Sequence, residues 1–225
     1  MAEAANVLLA ILGTLEARVD GEPLPALPTL GAQALLVYLN VERILRQPVH
    51  RREFLAELLW PDVPSQSARR SLRTSLYYVR QAIPDAVGVD GQPVPILRTD
   101  RQTAQIDPDY ALQLDRADFL RLIDGSSFHQ RQAVKLYRGD ILSNFMLDDA
   151  RPFMEWVTAR REAFRRRFIS ALEALGERAL QEGRYDKAER WARRQLANDD
   201  LREATWRQLM PVLARRGRRA EALRV

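Results

Sequence analysis

Ser67-Ala68-Arg69-Arg70-Ser71-Leu72-Arg73-Thr74-Ser75-Leu76-Tyr77-Tyr78-Val79-Arg80-Gln81-Ala82-Ile83 is the stretch on which the fold turns. At about 100° per residue, Ala68, Leu72, Leu76, Val79 and Ile83 fall within about 80° of one another, which is the apolar stripe of a helix seated on a core. The opposite side carries Arg70, Thr74, Tyr77 and Gln81. Arg69, Arg73 and Arg80 line one edge of that side, and Tyr78 lines the other. No acidic residue lies between Pro64 and Pro84. A surface helix that is only solvated normally balances its arginines with Glu or Asp. A helix that presents Arg, Thr and Tyr without acids suits base edges and phosphates instead.

Working outward, Thr29 begins a helical pattern with Leu35, Leu36 and Leu39 on one face, interrupted by Pro48. Phe54, Leu55, Leu58 and Leu59 give a second short helix, stopped at Trp60-Pro61-Asp62. Pro64 fits the first turn of the third helix, and Pro84 ends it. Before these helices, Leu15 to Val19 alternates as a half-buried strand does. Asp20-Gly21 marks a tight hairpin turn, and Pro23 and Pro25 confine the next strand to an edge. Residues 6–27 therefore read as a small antiparallel sheet. Gly88 and Gly91 mark a loop, and Ile96–Thr99 and Thr103–Ile106 read as a hairpin around Asp100–Gln102. Sheet, three helices and hairpin are the order of a response-regulator-type winged helix. A piece ending near Asp109 is expected to fold by itself.

Beyond residue 110 every element reads as helical, at about 115–124, 130–138, 152–182, 185–197, 202–215 and 219 onward. Gly183-Arg184-Tyr185-Asp186-Lys187-Ala188 recurs as Gly217-Arg218-Arg219-Ala220-Glu221-Ala222, an offset of 34 residues. That is the tetratricopeptide period. Leu172 and Leu175 match Trp206 and Leu209 at the same offset. The glycines are placed to end helices, and Ala188 and Ala222 let paired helices approach. The second copy stops inside its second helix, so the chain reads as truncated relative to a capped array. The fold expected is mainly α with a small β component: a winged helix over 1–110 and an all-α tetratricopeptide-like domain over 111–225.

Charge is distributed in blocks. Residues 43–80 hold eight basic and three acidic groups, and residues 151–225 hold 19 and 11. Residues 1–42 hold one basic and five acidic groups, and residues 81–150 hold seven and 11, so acid predominates there. Two basic faces suit acidic partners, though ordinary solvated arginine is the plain alternative. With no cysteine, disulfides and thiolate metal sites are excluded. No apolar run approaches the ~20 residues of a membrane helix, and no secretory leader opens the chain, so a cytoplasmic protein is expected.

Enzymatic chemistry finds no support. There is neither a phosphate loop nor a dinucleotide fingerprint, and no cofactor is expected. His50 and His129 stand outside any motif, and Asp148-Asp149 reads as a solvated pair rather than a metal site. At the hairpin, Arg98 and Arg101 suit a minor groove or phosphate, or are two surface arginines. Arg51 and Arg52 suit backbone phosphates, or serve as capping charges.

Several short motifs recur together in one known family. Arg51-Arg52-Glu53-Phe54-Leu55-Ala56-Glu57-Leu58-Leu59-Trp60-Pro61-Asp62, with Ala68-Arg69-Arg70-Ser71-Leu72-Arg73, resembles the winged helix of SARP-type bacterial transcriptional activators. Leu136–Leu142, Trp156 with Arg160-Arg161-Glu162, and Gly183-Arg184-Tyr185 resemble their bacterial transcriptional activator domain, or BTAD. The resemblance covers about residues 8–225. One departure is Leu30-Gly31-Ala32, where the family often opens its first helix with basic residues. The resemblance implies an activator that binds direct repeats in double-stranded DNA near promoters, with a homodimer on DNA among the expected arrangements. It also implies recruitment of RNA polymerase, partly through sigma factor. Arg51, Arg69, Arg70, Arg73, Thr74, Tyr77, Tyr78, Arg98 and Arg101 are the expected DNA contacts. Asp62, Val63, Ser65 and Gln66, in the loop before the third helix, are the expected polymerase contacts. The rival reading is a tetratricopeptide-type interaction scaffold whose winged helix serves protein contacts.

Overall fold

The computed structural model describes residues 7–24, 27–44, 48–198 and 203–222. Asn6, Pro25, residue 202 and the last three residues, each within an element expected above, lie outside them. The fold is mainly helical with a small β component, and the chain forms two compact units. One comprises the described residues to Ala117 together with Gly139–Arg161, and the other comprises Asp118–Arg138 with those from Glu162 onward.

The first unit opens with β1 (Val7–Ala10), β2 (Glu16–Val19) and β3 (Glu22–Pro23). Asp20 at φ 53° and Gly21 at φ 85° form a two-residue turn that pairs Val19 with Glu22. Both central residues of such a hairpin turn need positive φ, hence Asp-Gly. β3 is the edge strand, in the order β3-β2-β1-β9. The last of these, β9 (Leu112–Leu114), lies parallel to β1 with Val7 opposite Leu112. It corrects the expectation that nothing beyond residue 110 is extended. Three residues carry no periodicity of their own, and β1 imposes the strand. Asp115 then fastens the junction. Its carboxylate, buried, accepts hydrogen bonds from Ile11 N and Leu12 N at 3.0 Å.

α1 (Leu30–Ile44), α2 (Arg52–Leu59) and α3 (Ser65–Ala82) follow, and α1 and α2 each pack on α3. Leu35, Leu39, Leu55 and Leu72 are fully buried between them, each worth ~1.5–3 kcal/mol. Gly31 is required where α1 approaches the α2–α3 turn, because a Cβ there would stand 2.7 Å from the Trp60 indole. The wing is a three-stranded sheet, with β4 (His50–Arg51) beside β8 (Thr103–Ile106) and β8 beside β7 (Leu97–Thr99). β4 is too short to show in sequence, as are β5 (Ala86–Val87) and β6 (Pro93–Val94), which pair where a loop was expected.

Residues 139–161 return to this unit, so its limit is not the expected cut at 110. Ile141 bridges Leu12 and Gly13. From α6 (Arg151–Gln181), Trp156 and Arg160 both donate to the buried Glu42 carboxylate at 2.8 Å. Tyr38 packs on Trp156, and burial pushes its hydroxyl up to about 12, with Glu42 adding to the shift. A fragment stopping near Asp109 would lack β9, Asp115 and this returning segment.

The second unit holds most of α4 (Asp115–Ile123), then α5 (Ser127–Leu136), the rest of α6, α7 (Tyr185–Leu196), α8 (Glu203–Arg215) and α9 (Arg219–Ala222). Its core includes Tyr137 stacked on Phe168 at 4.1 Å. The 34-residue repeat has a structural counterpart at each helix end. Arg184 N donates to Ala179 O and Gly183 N to Leu180 O, and Arg218 N to Leu213 O and Gly217 N to Ala214 O. These are paired Schellman caps, with Gly183 at φ 70° and Gly217 at φ 77°. Ala188 and Ala222 are buried. Glu189 joins the two copies, accepting from Arg193, Arg216 and Arg218 at 2.6–2.8 Å.

Candidate nucleic-acid interface

α3 buries the predicted stripe together with Ser75, and exposes Arg69, Arg70, Arg73, Thr74, Tyr77, Arg80 and Gln81. Between its exposed side, the wing and the start of α2 lies a groove of about 890 Å³. Arg51, Arg52, Arg69, Arg73, Arg80 and Arg101 line it, against one acid, Glu53. Their surroundings differ. Arg69 is bridged to Glu53 at 2.8 Å. Arg52 donates to the Asp100 carbonyl at 3.0 Å, and Arg80 hydrogen bonds the Thr99 hydroxyl, tying helix to wing. Arg51, Arg73 and Arg101 are exposed, and their side chains have no hydrogen-bond or ion-pair partner among the described residues. Tyr77, 57% exposed, stands in the same groove with its ring 5.9 Å from that of Tyr78.

The wing tip is built by its own side chains. Asp100 accepts from the Thr103 hydroxyl and from the backbone N–H groups of Gln102 and Thr103, each at 2.7 Å. Those hydrogen bonds, the Thr103 hydroxyl foremost, hold its carboxyl below the usual range. The turn therefore keeps one shape and aims Arg101 into the groove.

Other predicted residues lie elsewhere. Arg70 and Thr74 are exposed, but they border a separate shallow recess of about 270 Å³ beside Gly31 and Trp60. Tyr78 is half-buried. Arg98 is bound to carboxylates, Asp107 at 3.0 Å and Asp109 at 3.6 Å. Ser65 and Gln66, expected in the loop, belong to the first turn of α3, because the helix starts directly after Pro64. Asp62 and Val63 form the turn before it, and all four are exposed. Arg80 and Thr99 are further groove residues whose meeting no local pattern marks, since it depends on where the hairpin folds back.

Of the two histidines, His50 is buried against Tyr38 and Phe54, and His129 is exposed. Among the described residues no group of three or more His, Cys, Asp and Glu could hold a metal, and no helix is long and apolar enough to cross a membrane.

Fold and repeat together define the class: a response-regulator-type winged helix joined to a tetratricopeptide-like domain. Residues 123–225 match the family described as the bacterial transcriptional activator domain. Transcriptional regulatory protein MoaR1 of Mycobacterium tuberculosis is 28% identical over 217 residues, 92% of this chain and 66% of that protein. MoaR1 of Mycobacterium bovis matches equally. The solved structure of Mycobacterium tuberculosis EmbR, in complex with a low-affinity phosphopeptide, shares the fold, with a TM-score of 0.67 and 22% identity. The match covers 98% of this chain and 57% of EmbR. These matches make the chain similar to SARP-type transcriptional regulators, with the bacterial transcriptional activator domain matched over residues 123–225. The chain spans about two thirds of the length of the curated relatives.

Proposed function

We propose that the chain is a sequence-specific DNA-binding activator that acts in the cytoplasm on promoter DNA and recruits RNA polymerase. The observation that carries this reading is the groove between α3 and the wing, with six arginines to one acid. Arg51, Arg73 and Arg101, uncompensated, neutralise phosphates, and Arg69 joins them once DNA competes for it with Glu53. Tyr77 reaches base edges from the groove, with Tyr78 backing its ring, while Arg70 and Thr74 read from the far side of the helix. Arg98 keeps the hairpin in register through Asp107 and contributes little direct contact. The target is a pair of direct repeats, occupied by two copies of the chain.

Polymerase contact falls to Asp62, Val63, Ser65 and Gln66. They sit at the start of the recognition helix, next to the duplex but outside the groove. Pro61 and Pro64 hold the turn in shape, which lowers the ordering cost of a protein contact. The test is a footprint of the full chain on DNA upstream of its own operon, run beside purified transcription. Repeated protected segments and stimulated transcription are expected. Asp62→Ala with Gln66→Ala should keep the footprint and lose the stimulation. If no DNA is protected, the reading is wrong. If footprint and transcription fall in parallel, only the recruitment part is.

A further inference from the structure

The second unit contains a cleft of about 430 Å³ between α5, the end of α6 and the start of α7. Six cations line it: Arg131, Lys135, Arg178, Arg184, Lys187 and Arg190. The only acid in its lining is Glu182, already bridged by Arg178 at 3.2 Å and by Arg184. Arg190 reaches Asp186 at 4.0 Å. The side chains of Arg131, Lys135 and Lys187 have no hydrogen-bond or ion-pair partner among the described residues. Like charges converging on a concave surface oppose folding unless something else uses them. Two rings complete the cleft: Phe128, 58% exposed, and the half-buried Trp191, which is seated on Ala179 and Ala188.

Lys135 and Lys187 are the only lysines among the chain's 35 basic residues. Arginine presents a rigid fork, whereas lysine is a point charge on a flexible stem that follows carboxylates in varied positions. A duplex is too broad and convex for a cleft of this volume, because its major groove alone is about 12 Å wide. An extended peptide fits, with carboxylates over the cations and an apolar side chain between the rings.

We infer that this cleft docks an acidic segment of a partner protein, with Arg131, Lys135 and Lys187 holding its carboxylates and Phe128 and Trp191 its apolar side chain. The inference is independent of the DNA reading, which rests on the other unit. The test is fluorescence anisotropy of the full chain with a fluorescein-labelled peptide of alternating glutamate and leucine. A matching peptide of lysine and leucine serves as control. Binding of the acidic peptide alone is expected. Lys135→Glu with Lys187→Glu should weaken it at least about tenfold, or ~1.4 kcal/mol, with melting temperature and DNA affinity unchanged. Lys135→Gln with Lys187→Gln should give a smaller loss in the same direction. Carbodiimide coupling should link peptide carboxylates to Lys135 and Lys187, located by mass spectrometry. Undiminished peptide affinity in both double variants overturns the inference. So does a parallel loss of DNA affinity with no peptide bound, which would make the cleft a nucleic-acid surface.

Discussion

Replacing Arg51, Arg73 and Arg101 together by Ala isolates the electrostatic part of the proposed DNA contact. All three are exposed and unpartnered among the described residues, so folding stability should move by less than about 0.5 kcal/mol. Each phosphate neutralised contributes about 0.9 to the slope of log affinity against log salt. The four arginines assigned to phosphate, Arg51, Arg69, Arg73 and Arg101, thus give a slope of about −3.6, a loss of about 150-fold between about 50 and 200 mM salt. Removing three leaves a slope of about −0.9 and a loss of about three- to fourfold over the same range. Anisotropy of a labelled duplex, titrated at several salt concentrations, measures both slopes. An unchanged slope in a variant that melts like the parent would refute the assignment of these arginines to phosphate, however much overall affinity fell. A parent slope near zero would refute the groove itself.

Arg70→Ala, Thr74→Ala and Tyr77→Ala should each cost ~1–3 kcal/mol on the specific site wherever a good base contact is lost. Equal losses on specific and random duplexes, compared by competition, would mean that these side chains touch only the backbone. Leu72→Ala should destabilise the first unit by ~2–5 kcal/mol in thermal or urea melts, since Leu72 is fully buried beneath the groove; a melt like the parent's would show that the buried stripe is misassigned. At Glu189 burial raises the carboxyl pKa, but the hydrogen bond from Arg193 and the charges of Arg218, Arg193 and Arg216 outweigh it and leave it lowered. A lowered folded value gives stability that is full above the ordinary carboxylate pKa and lost as pH falls through the folded one. Acid titration below about pH 4.5 should therefore destabilise the parent more steeply than Glu189→Gln, and identical acid limbs would count against the link.

What could be read without coordinates follows from how local each signal is. The facing of α3 needs only helical period, and the β2–β3 turn needs only Asp20-Gly21, so both stand in the structure as expected. The helix-ending roles of Gly183 and Gly217 likewise depend on residues within one turn. β9 and β4 are different, because Leu112–Leu114 and His50–Arg51 are strands only by virtue of β1 and β8. Site chemistry divides in the same way. That α3 is basic and free of acids is visible along the chain. That Arg98 meets Asp107 while Arg101 meets the groove depends on the wing's register. The excess charge of residues 151–225 was equally plain, but the cleft that concentrates part of it needs α5 from a different stretch of chain.

The clasp between β1 and Asp115 has a consequence for synthesis. The N–H of Ile11 and the carboxylate that receives it are 104 residues apart. Ribosomes add about 5–20 residues per second, so β1 waits on the order of 5–20 s for β9 and Asp115 to be made. Throughout that interval the β1–β2–β3 sheet has an open edge at β1, with a row of unpaired backbone groups that invites pairing with another chain. Nascent chains are most exposed to mispairing before residue 115 clears the exit tunnel, and a slow codon placed ahead of β9 would prolong that exposure.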